Sequence, residues 1–116
     1  MSFGAAAEVF KALGDPHRLD ALSFLATAGP ECCRGGESVC ACDLIAHLGL
    51  AQPTVSHHMR ILTQAGLVTA TRQGRWMHYA LSSGGLQTVQ ALLVQLQAQL
   101  PSPARPVTAL PVHPAT

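Results

Sequence analysis

The sequence of 116 residues has few aromatic side chains, 4%, and few charged ones, 11%. It has no apolar run close to the ~18 residues that a membrane-spanning helix needs, and its N-terminus lacks the pattern of a signal peptide. These absences predict one small cytoplasmic domain that makes no membrane contact. A domain of this size with so few aromatic side chains often gains stability by forming a dimer.

Acidic residues are missing from most of the chain. All six lie within the first 43 residues, which also hold three basic residues and so carry a net charge of −3. The rest of the chain holds four arginines and no acid, and so carries +4. Such an asymmetry between the two parts of a chain indicates an anionic partner for the basic part.

Enzyme signatures are missing as well. The sequence has no phosphate-binding or nucleotide-binding glycine motif and no convincing Ser/His/Asp arrangement. Its four cysteines lie within eleven residues, but Cys-Ala-Cys is not the Cys-x-x-Cys motif, and no βαβ pattern surrounds it. A thiol enzyme is therefore the weakest interpretation. In a reducing cytosol, clustered cysteines suggest a soft-metal or redox site rather than a disulfide framework.

Residues 52–65 carry the clearest pattern in the chain. Pro53 suits the first turn of a helix, Gln52 or Thr54 could cap it, and Gly66 could end it in a left-handed conformation. An apolar stripe follows at helical spacing, formed by Val55, Met59 and Leu62 with Ile61 beside them. The opposite face is rich in hydrogen-bonding side chains and has no acid. It is either an ordinary solvated face or one that enters a major groove.

The flanking elements complete a helix-turn-helix with a β-hairpin, the winged-helix arrangement. We predict helices over residues 3–13 and 16–28, the second with an inward face of Leu19, Leu22, Leu25 and Ala26. A loop over 29–39 precedes a short helix that starts at Cys42 or Asp43, with Asp43 placed to cap it or to favour its positive end. The helix over residues 52–65, called the reader helix, follows it. Strands over 67–72 and 75–81 flank a Gln73-Gly74 turn, with Trp76 and Tyr79 packed under the wing.

The final helix, over residues 84–100 and capped by Ser82 or Ser83, carries no charge. Its apolar stripe consists of Leu86, Val89, Leu93, Leu96 and Leu100. Such a helix favours an interface, so we predict a homodimer through residues 3–13 and 84–100. Residues 1–100 form the predicted DNA-binding and dimerisation domain, and residues 101–116, with five prolines, form a flexible tail. The predicted DNA contacts are Gln52, Thr54, Ser56, His57, Arg60, Arg72, Gln73 and Arg75.

Over residues 5–98 the sequence resembles the ArsR/SmtB family of metal-responsive repressors. The resemblance is carried by ALGDPHRLDAL (12–22), VCACDLIAHLGLAQPTVSHHMRILTQAGLV (39–68) and RQGRWMHYAL (72–81). The VCACDL stretch is similar to the arsenic-sensing subgroup in particular. This resemblance implies a homodimer that represses its operon on double-stranded DNA and leaves the DNA when an inducer binds.

The inducer that this subgroup implies is trivalent arsenic or antimony, bound by three thiolates, with no organic cofactor. Arsenic sensors of this type carry a third cysteine where this chain has Ile45, so a third thiolate must come from Cys32 or Cys33. The candidate ligands are Cys32, Cys33, Cys40 and Cys42. A four-thiolate zinc or cadmium site, a disulfide-forming redox switch and simple buried cysteines remain open. The zinc site that other members carry on the last helix is absent, because that helix has no Asp, Glu or His.

Overall fold

The computed structural model describes residues 3–27 and 38–101. These residues form helices α1 (Phe3–Leu13), α2 (Pro16–Thr27), α3 (Ala41–Leu48), α4 (Gln52–Gln64) and α5 (Ser83–Ala98), with strands β1 (Val39–Cys40), β2 (Val68–Gln73) and β3 (Trp76–Leu81). The predicted winged helix-turn-helix, mainly α with a hairpin, is confirmed. Cys32, Cys33 and the predicted tail beyond residue 101 lie outside the described residues.

The core forms where α4 meets α3 and the sheet. Its largest fully buried side chains are Leu44, Val55, Met59, Leu62 and Leu67, so the apolar stripe predicted for α4 is confirmed. The face predicted for α2 is wrong in part, because Leu19 is 51% exposed and Ala26 is exposed. The buried stripe of α2 is instead Ala21 and Leu25, four residues apart, on the side that packs against its neighbouring elements.

Within the described residues, the sheet has the antiparallel order β1-β3-β2. Strand β1 was missed, since the sequence predicted a loop there; it pairs Val39 with Tyr79 and Cys40 with His78. The hairpin tip is one residue later than predicted, because Gln73 pairs with Trp76 and the turn is therefore Gly74-Arg75. Gly74 has φ of 66°, the left-handed conformation that the first position of such a tight turn favours.

The predicted helix caps are partly wrong. Helix α3 begins at Ala41 and is capped by the Cys40 sulfur and not by Asp43, which lies in the first turn of the helix, at its positive end, as the other alternative predicted. The N-cap residue of α4 is Ala51, with no side-chain cap hydrogen bond, so neither Gln52 nor Thr54 has that role. Ser82 takes the N-cap position of α5, also with no side-chain cap bond.

Helix α5 packs against α1 but leaves most of its apolar stripe on the surface. Val89 is buried, whereas the exposed members are Leu86, Leu93, Leu96 and Leu100, joined by Val94. Tyr79 is buried as predicted, but Trp76 is 38% exposed, so packing under the wing is wrong for Trp76. None of the helices in residues 3–27 and 38–101 has the length and hydrophobicity to cross a bilayer.

Candidate functional site

The turn between α3 and α4 is fixed by backbone geometry. Gly49 ends α3 with φ of 68°, and its N–H donates to the Ile45 carbonyl at 2.9 Å. Ala51 is extended, and its carbonyl accepts from the Val55 N–H at 3.0 Å, which starts α4. Gly66, with φ of 75°, follows the end of α4 in the left-handed conformation that the sequence predicted. The two helices therefore have a defined crossing, with α4 held at the surface.

The polar face of α4 points away from the core. The residues that the sequence singled out on this helix are all exposed: Gln52, Thr54, Ser56, His57 and Arg60. They carry hydrogen-bond donors and acceptors along the N-terminal two-thirds of the helix. That is the part of a recognition helix that reaches base edges when it lies in a major groove.

The hairpin extends this surface. Arg72, Gln73 and Arg75 are exposed at the tip, on either side of the Gly74 turn. Between α4 and the hairpin lies a cleft of about 300 Å³, whose lining includes Ser56, Arg60 and Tyr79. The structure thus brings the two predicted groups of DNA contacts to adjoining parts of the molecule.

The electrostatics of this surface follow from its composition. No acidic residue occurs between residues 44 and 116, so the charges of Arg60, Arg72 and Arg75 are not neutralised by a carboxylate from the same segment. Burial raises the pKa of the Tyr79 hydroxyl, and the neighbouring Arg60 charge acts against that rise. Tyr79 therefore stays neutral, and the surface is one that attracts phosphates.

His58 is a residue of α4 whose environment the sequence analysis missed. It is only 8% exposed, and its Nδ1 lies 3.2 Å from the Arg18 guanidinium. Burial lowers the pKa of His58, and Arg18 adds to that effect while Asp15 opposes it. The signal was present in the spacing, because residue 58 lies three positions after Val55 and therefore falls on the buried stripe.

The second part of the site is the thiol pair Cys40 and Cys42. Cys40 is buried at the end of β1, whereas Cys42 is half-buried in the first turn of α3. The Cys40 sulfur accepts from the Cys42 backbone N–H at 3.3 Å and lies 2.7 Å from the Cys42 sulfur. The two sulfurs are therefore adjacent, and both residues are free cysteines.

Two thiolates that share a tetrahedral zinc are about 3.8 Å apart. The pair would therefore open by about 1 Å around an ion of that size, which side-chain rotation can supply. Within residues 3–27 and 38–101, no cluster of three or more His, Cys, Asp or Glu side chains is arranged to hold a metal. Cys32 and Cys33 lie outside these residues, so a third thiolate from that segment stays a prediction.

Cys40 links strand β3 of the wing to helix α3, and both lie next to elements that carry the predicted DNA contacts. Through β1 it pairs with His78 of the wing strand β3, and through its sulfur it caps α3. His47, further along α3, is paired with Asp20 at 2.8 Å and stacked on Phe24, as expected for a satisfied histidine. Movement of the Cys40 and Cys42 side chains would therefore displace both the wing and α3, the first helix of the helix-turn-helix.

Comparison with known proteins agrees with this arrangement. A family model described as bacterial regulatory protein, arsR family, matches residues 15–70. An uncharacterised HTH-type transcriptional regulator of Methanocaldococcus jannaschii is 41% identical over 91 residues, which cover 78% of this chain and 93% of the relative. The arsenical resistance operon repressor of Staphylococcus xylosus is 39% identical over 82 residues, covering 71% of this chain and 70% of the repressor.

A solved structure has the same fold. The winged helix-turn-helix DNA-binding domain of Mb0332 from Mycobacterium bovis, described as homodimeric, superposes with a TM-score of 0.59 at 23% identity, covering 84% of this chain and 83% of that one. Together with the matched relatives, the comparisons establish that the chain belongs to the ArsR family of bacterial regulatory proteins. It is a DNA-binding transcriptional regulator and not an enzyme.

Proposed function

We propose that this ArsR-family regulator is a cytoplasmic homodimeric repressor that leaves its operator when As(III) or Sb(III) binds thiolates that include Cys40 and Cys42. The observation that carries the proposal is the 2.7 Å approach of these two sulfurs at the start of the helix pair that reads DNA. The Staphylococcus xylosus relative is named as an arsenical resistance operon repressor, which supports an arsenic-type inducer.

DNA binding in this proposal uses both exposed groups. The side chains of α4 enter the major groove, and the hairpin arginines contact the flanking backbone or minor groove. Two copies related by a two-fold axis would present two α4 helices to successive half-sites. The exposed apolar stripe of α5, beside α1, supplies the surface on which the copies meet, so residues 1–100 act as one DNA-binding and dimerisation domain.

Inducer binding would act through the cap of α3. A Cys40 thiolate that coordinates an ion must turn toward it, which changes the geometry in which the sulfur now accepts the Cys42 N–H and caps α3. The same movement pulls on β1 and hence on β3. Because the operator must fit two α4 helices at once, a small shift in each copy weakens DNA binding, and by reciprocity DNA weakens ion binding by the same factor.

The chemistry of the donors favours a soft ion. Thiolates select soft, thiophilic ions, and three of them match the pyramidal preference of trivalent arsenic and antimony. Cys40 and Cys42 supply two, and the third is proposed to come from Cys32 or Cys33, which lie outside the described residues. Cadmium or zinc held by all four thiolates is the second ion class that the same residues could bind.

The test is release from DNA. The full chain is bound to a duplex of the DNA upstream of its own gene, and As(III), Sb(III), Cd(II) or Zn(II) is titrated in. Cys40→Ser and Cys42→Ser should bind DNA as the parent does but fail to release it with As(III), because serine keeps the size of the side chain while lacking the soft sulfur, and at position 40 it can still cap α3. X-ray absorption of the arsenic complex should give three As–S bonds.

A second set of variants tests Cys32 and Cys33, which lie outside the described residues. Cys32→Ser and Cys33→Ser should each respond almost normally, since either neighbour can replace the other, and the double variant should respond much more weakly. An unchanged response of the double variant would identify a two-thiolate site. Release by Cys40→Ser and Cys42→Ser at the parent's As(III) concentration would remove the thiol pair from sensing altogether.

The 2.7 Å sulfur separation also favours a second candidate, a repressor whose thiols form a disulfide when a peroxide oxidises them. Counting reactive thiols before and after peroxide treatment distinguishes the two. Loss of two thiols together with DNA release in the absence of any ion supports the redox switch. An unchanged thiol count together with release by As(III) supports ion sensing.

A further inference from the structure

The guanidinium of Arg18, on α2, contacts both α1 and α4. None of these contacts involves the Cys40–Cys42 pair. From α2, its Nε donates to the Ala12 carbonyl at 2.6 Å and its Nη2 to the Lys11 carbonyl at 3.3 Å. These carbonyls belong to the last turn of α1, and that of Lys11 also accepts from the Gly14 N–H at 3.2 Å. The third contact, from Nη1 to His58 Nδ1 at 3.2 Å, reaches into α4.

This third contact determines the protonation state of His58. A guanidinium has only donors, so Nδ1 must be the acceptor, and the imidazole is then neutral with its proton on Nε2. His58 lies on the buried side of α4, next in the chain to His57 and two residues before Arg60, both exposed and both candidate DNA contacts. The rotation of α4 about its axis, which aims those two side chains, is therefore tied to the α1–α2 corner.

The charged and titratable groups around His58 come from the same corner. Asp15, just before α2, accepts from the backbone N–H groups of His17 and Arg18 at 2.8 and 3.2 Å. The rings of His17 and His57 lie 5.8 and 6.0 Å from that of His58. From α1, Glu8 and Lys11 line the cleft that Arg18 also borders.

Asp15 is an anion in this setting. Partial burial raises the pKa of its carboxyl, but the backbone hydrogen bonds from Arg18 and His17 outweigh that effect and lower it. Its charge attracts a proton to His58, while burial and the Arg18 charge oppose protonation, so the pKa of His58 is lowered. His58 is therefore neutral at neutral pH and takes up a proton only in acid.

We propose that His58 is a positioning residue for DNA binding, which holds α4 in its reading orientation by accepting from Arg18 and releases it when the imidazole is protonated. A protonated ring cannot accept at Nδ1, and it would place a second cation beside the guanidinium. Operator affinity then falls in acid. The inference rests on the proposed use of α4 as the reading helix.

His57, next in the chain, is exposed on the polar face of α4 that is proposed to meet phosphates. The experiment therefore starts from His57→Asn, so that the compared variants differ at residue 58 alone. In that background, His58→Asn keeps an oxygen acceptor near the position of Nδ1 but cannot be protonated.

The affinity of each full-length variant for the upstream duplex is measured by fluorescence anisotropy at about pH 7.5 and about pH 5.5, either side of the ordinary histidine pKa. His57→Asn should lose affinity on acidification, by less than roughly tenfold at about pH 5.5, because the lowered pKa of His58 keeps part of its rings neutral there. The double variant, His57→Asn with His58→Asn, should stay nearly constant. His58→Ala should bind weakly at both pH values, whereas His58→Asn should bind as the parent does at the higher one.

A second measurement does not depend on DNA. Imidazole ¹⁵N chemical shifts of the full-length wild type should show His58 protonated at Nε2 and unprotonated at Nδ1. A proton on Nδ1, or a double variant that loses affinity as steeply as His57→Asn, overturns the proposal. If the wild type binds no duplex at either pH, the proposed function fails, and the ¹⁵N shifts alone decide whether the Arg18–His58 bond exists; the same shifts decide if a His58 variant does not fold.

Discussion

Helices α4 and α5 have similar apolar spacing but differ in what covers it. In α4, Val55, Met59 and Leu62 are fully buried by the rest of the same chain. In α5, Val89 is buried, whereas Leu86 and Leu93 are 41% and 49% exposed. The same kind of stripe therefore serves the chain's own core in one helix, whereas in the other it lies on the surface that is proposed to meet a second copy. Helical spacing predicts that a face needs covering, and only the surrounding structure shows what covers it.

The largest expected effect tests the α5 side of this comparison. Leu93→Glu would bury like charges across the two-fold axis of the proposed dimer, so it should give monomers or unfolded protein. Gln95→Glu is the matched control, since it adds the same charge at an exposed polar position of the same helix and should stay dimeric. Sedimentation equilibrium measures both. A monomeric wild type, or a dimeric Leu93→Glu variant, would contradict the proposed interface.

The next largest expected effect is a loss of unfolding free energy when the buried stripe of α4 is changed. Leu62→Ala leaves a cavity in the core of one chain and should cost about 2–5 kcal/mol in the free energy of unfolding. Its dimerisation constant should change little as long as the chain folds. Denaturant unfolding gives the free energy, and sedimentation gives the association. Strong dimer dissociation without a loss of unfolding free energy would show that Leu62 belongs to the interface, like Leu93.

The sequence predicted more of α4 than of its surroundings, and the reason is physical. The spacing of apolar residues shows which side of a helix or strand is buried, so α4 and the hairpin were predicted closely. It cannot predict β1, because these two residues form a strand only by pairing with β3, almost forty residues later. It does not register the partner of His58 either, which lies forty residues earlier at Arg18. Cys40 was predicted as a ligand, which stays a prediction, but its role as the cap of α3 was missed.

A smaller effect concerns the junction where α4 and α5 meet. The Gly85 N–H donates to the Gly66 carbonyl at 2.8 Å, and a Cβ on Gly85 would lie 2.6 Å from the Ala65 carbonyl oxygen. Gly85→Ala should therefore destabilise the fold by about 1–3 kcal/mol.

Gly84→Ala is the control for this junction. A Cβ there would make only an ordinary 3.7 Å contact with the Gly66 carbonyl oxygen, and alanine is the better helix former. It should be neutral or stabilising in denaturant unfolding. Equal destabilisation by both substitutions would mean that the loss comes from the first turn of α5 and not from the contact with α4.

The smallest effect on the fold concerns the outer face of α4 and separates reading DNA from folding. Arg60 is exposed and no carboxylate lies beyond residue 43, so Arg60→Ala should leave the free energy of unfolding almost unchanged. Its operator affinity should fall by ~1–3 kcal/mol if Arg60 reads a base, whereas the salt dependence should flatten by about one unit if it contacts a phosphate. Gln95→Ala, at an equally exposed position of α5, should change neither quantity. Anisotropy titrations at several salt concentrations distinguish these outcomes, and an Arg60→Ala variant with the parent's affinity and salt slope would remove this face of α4 from the reading role.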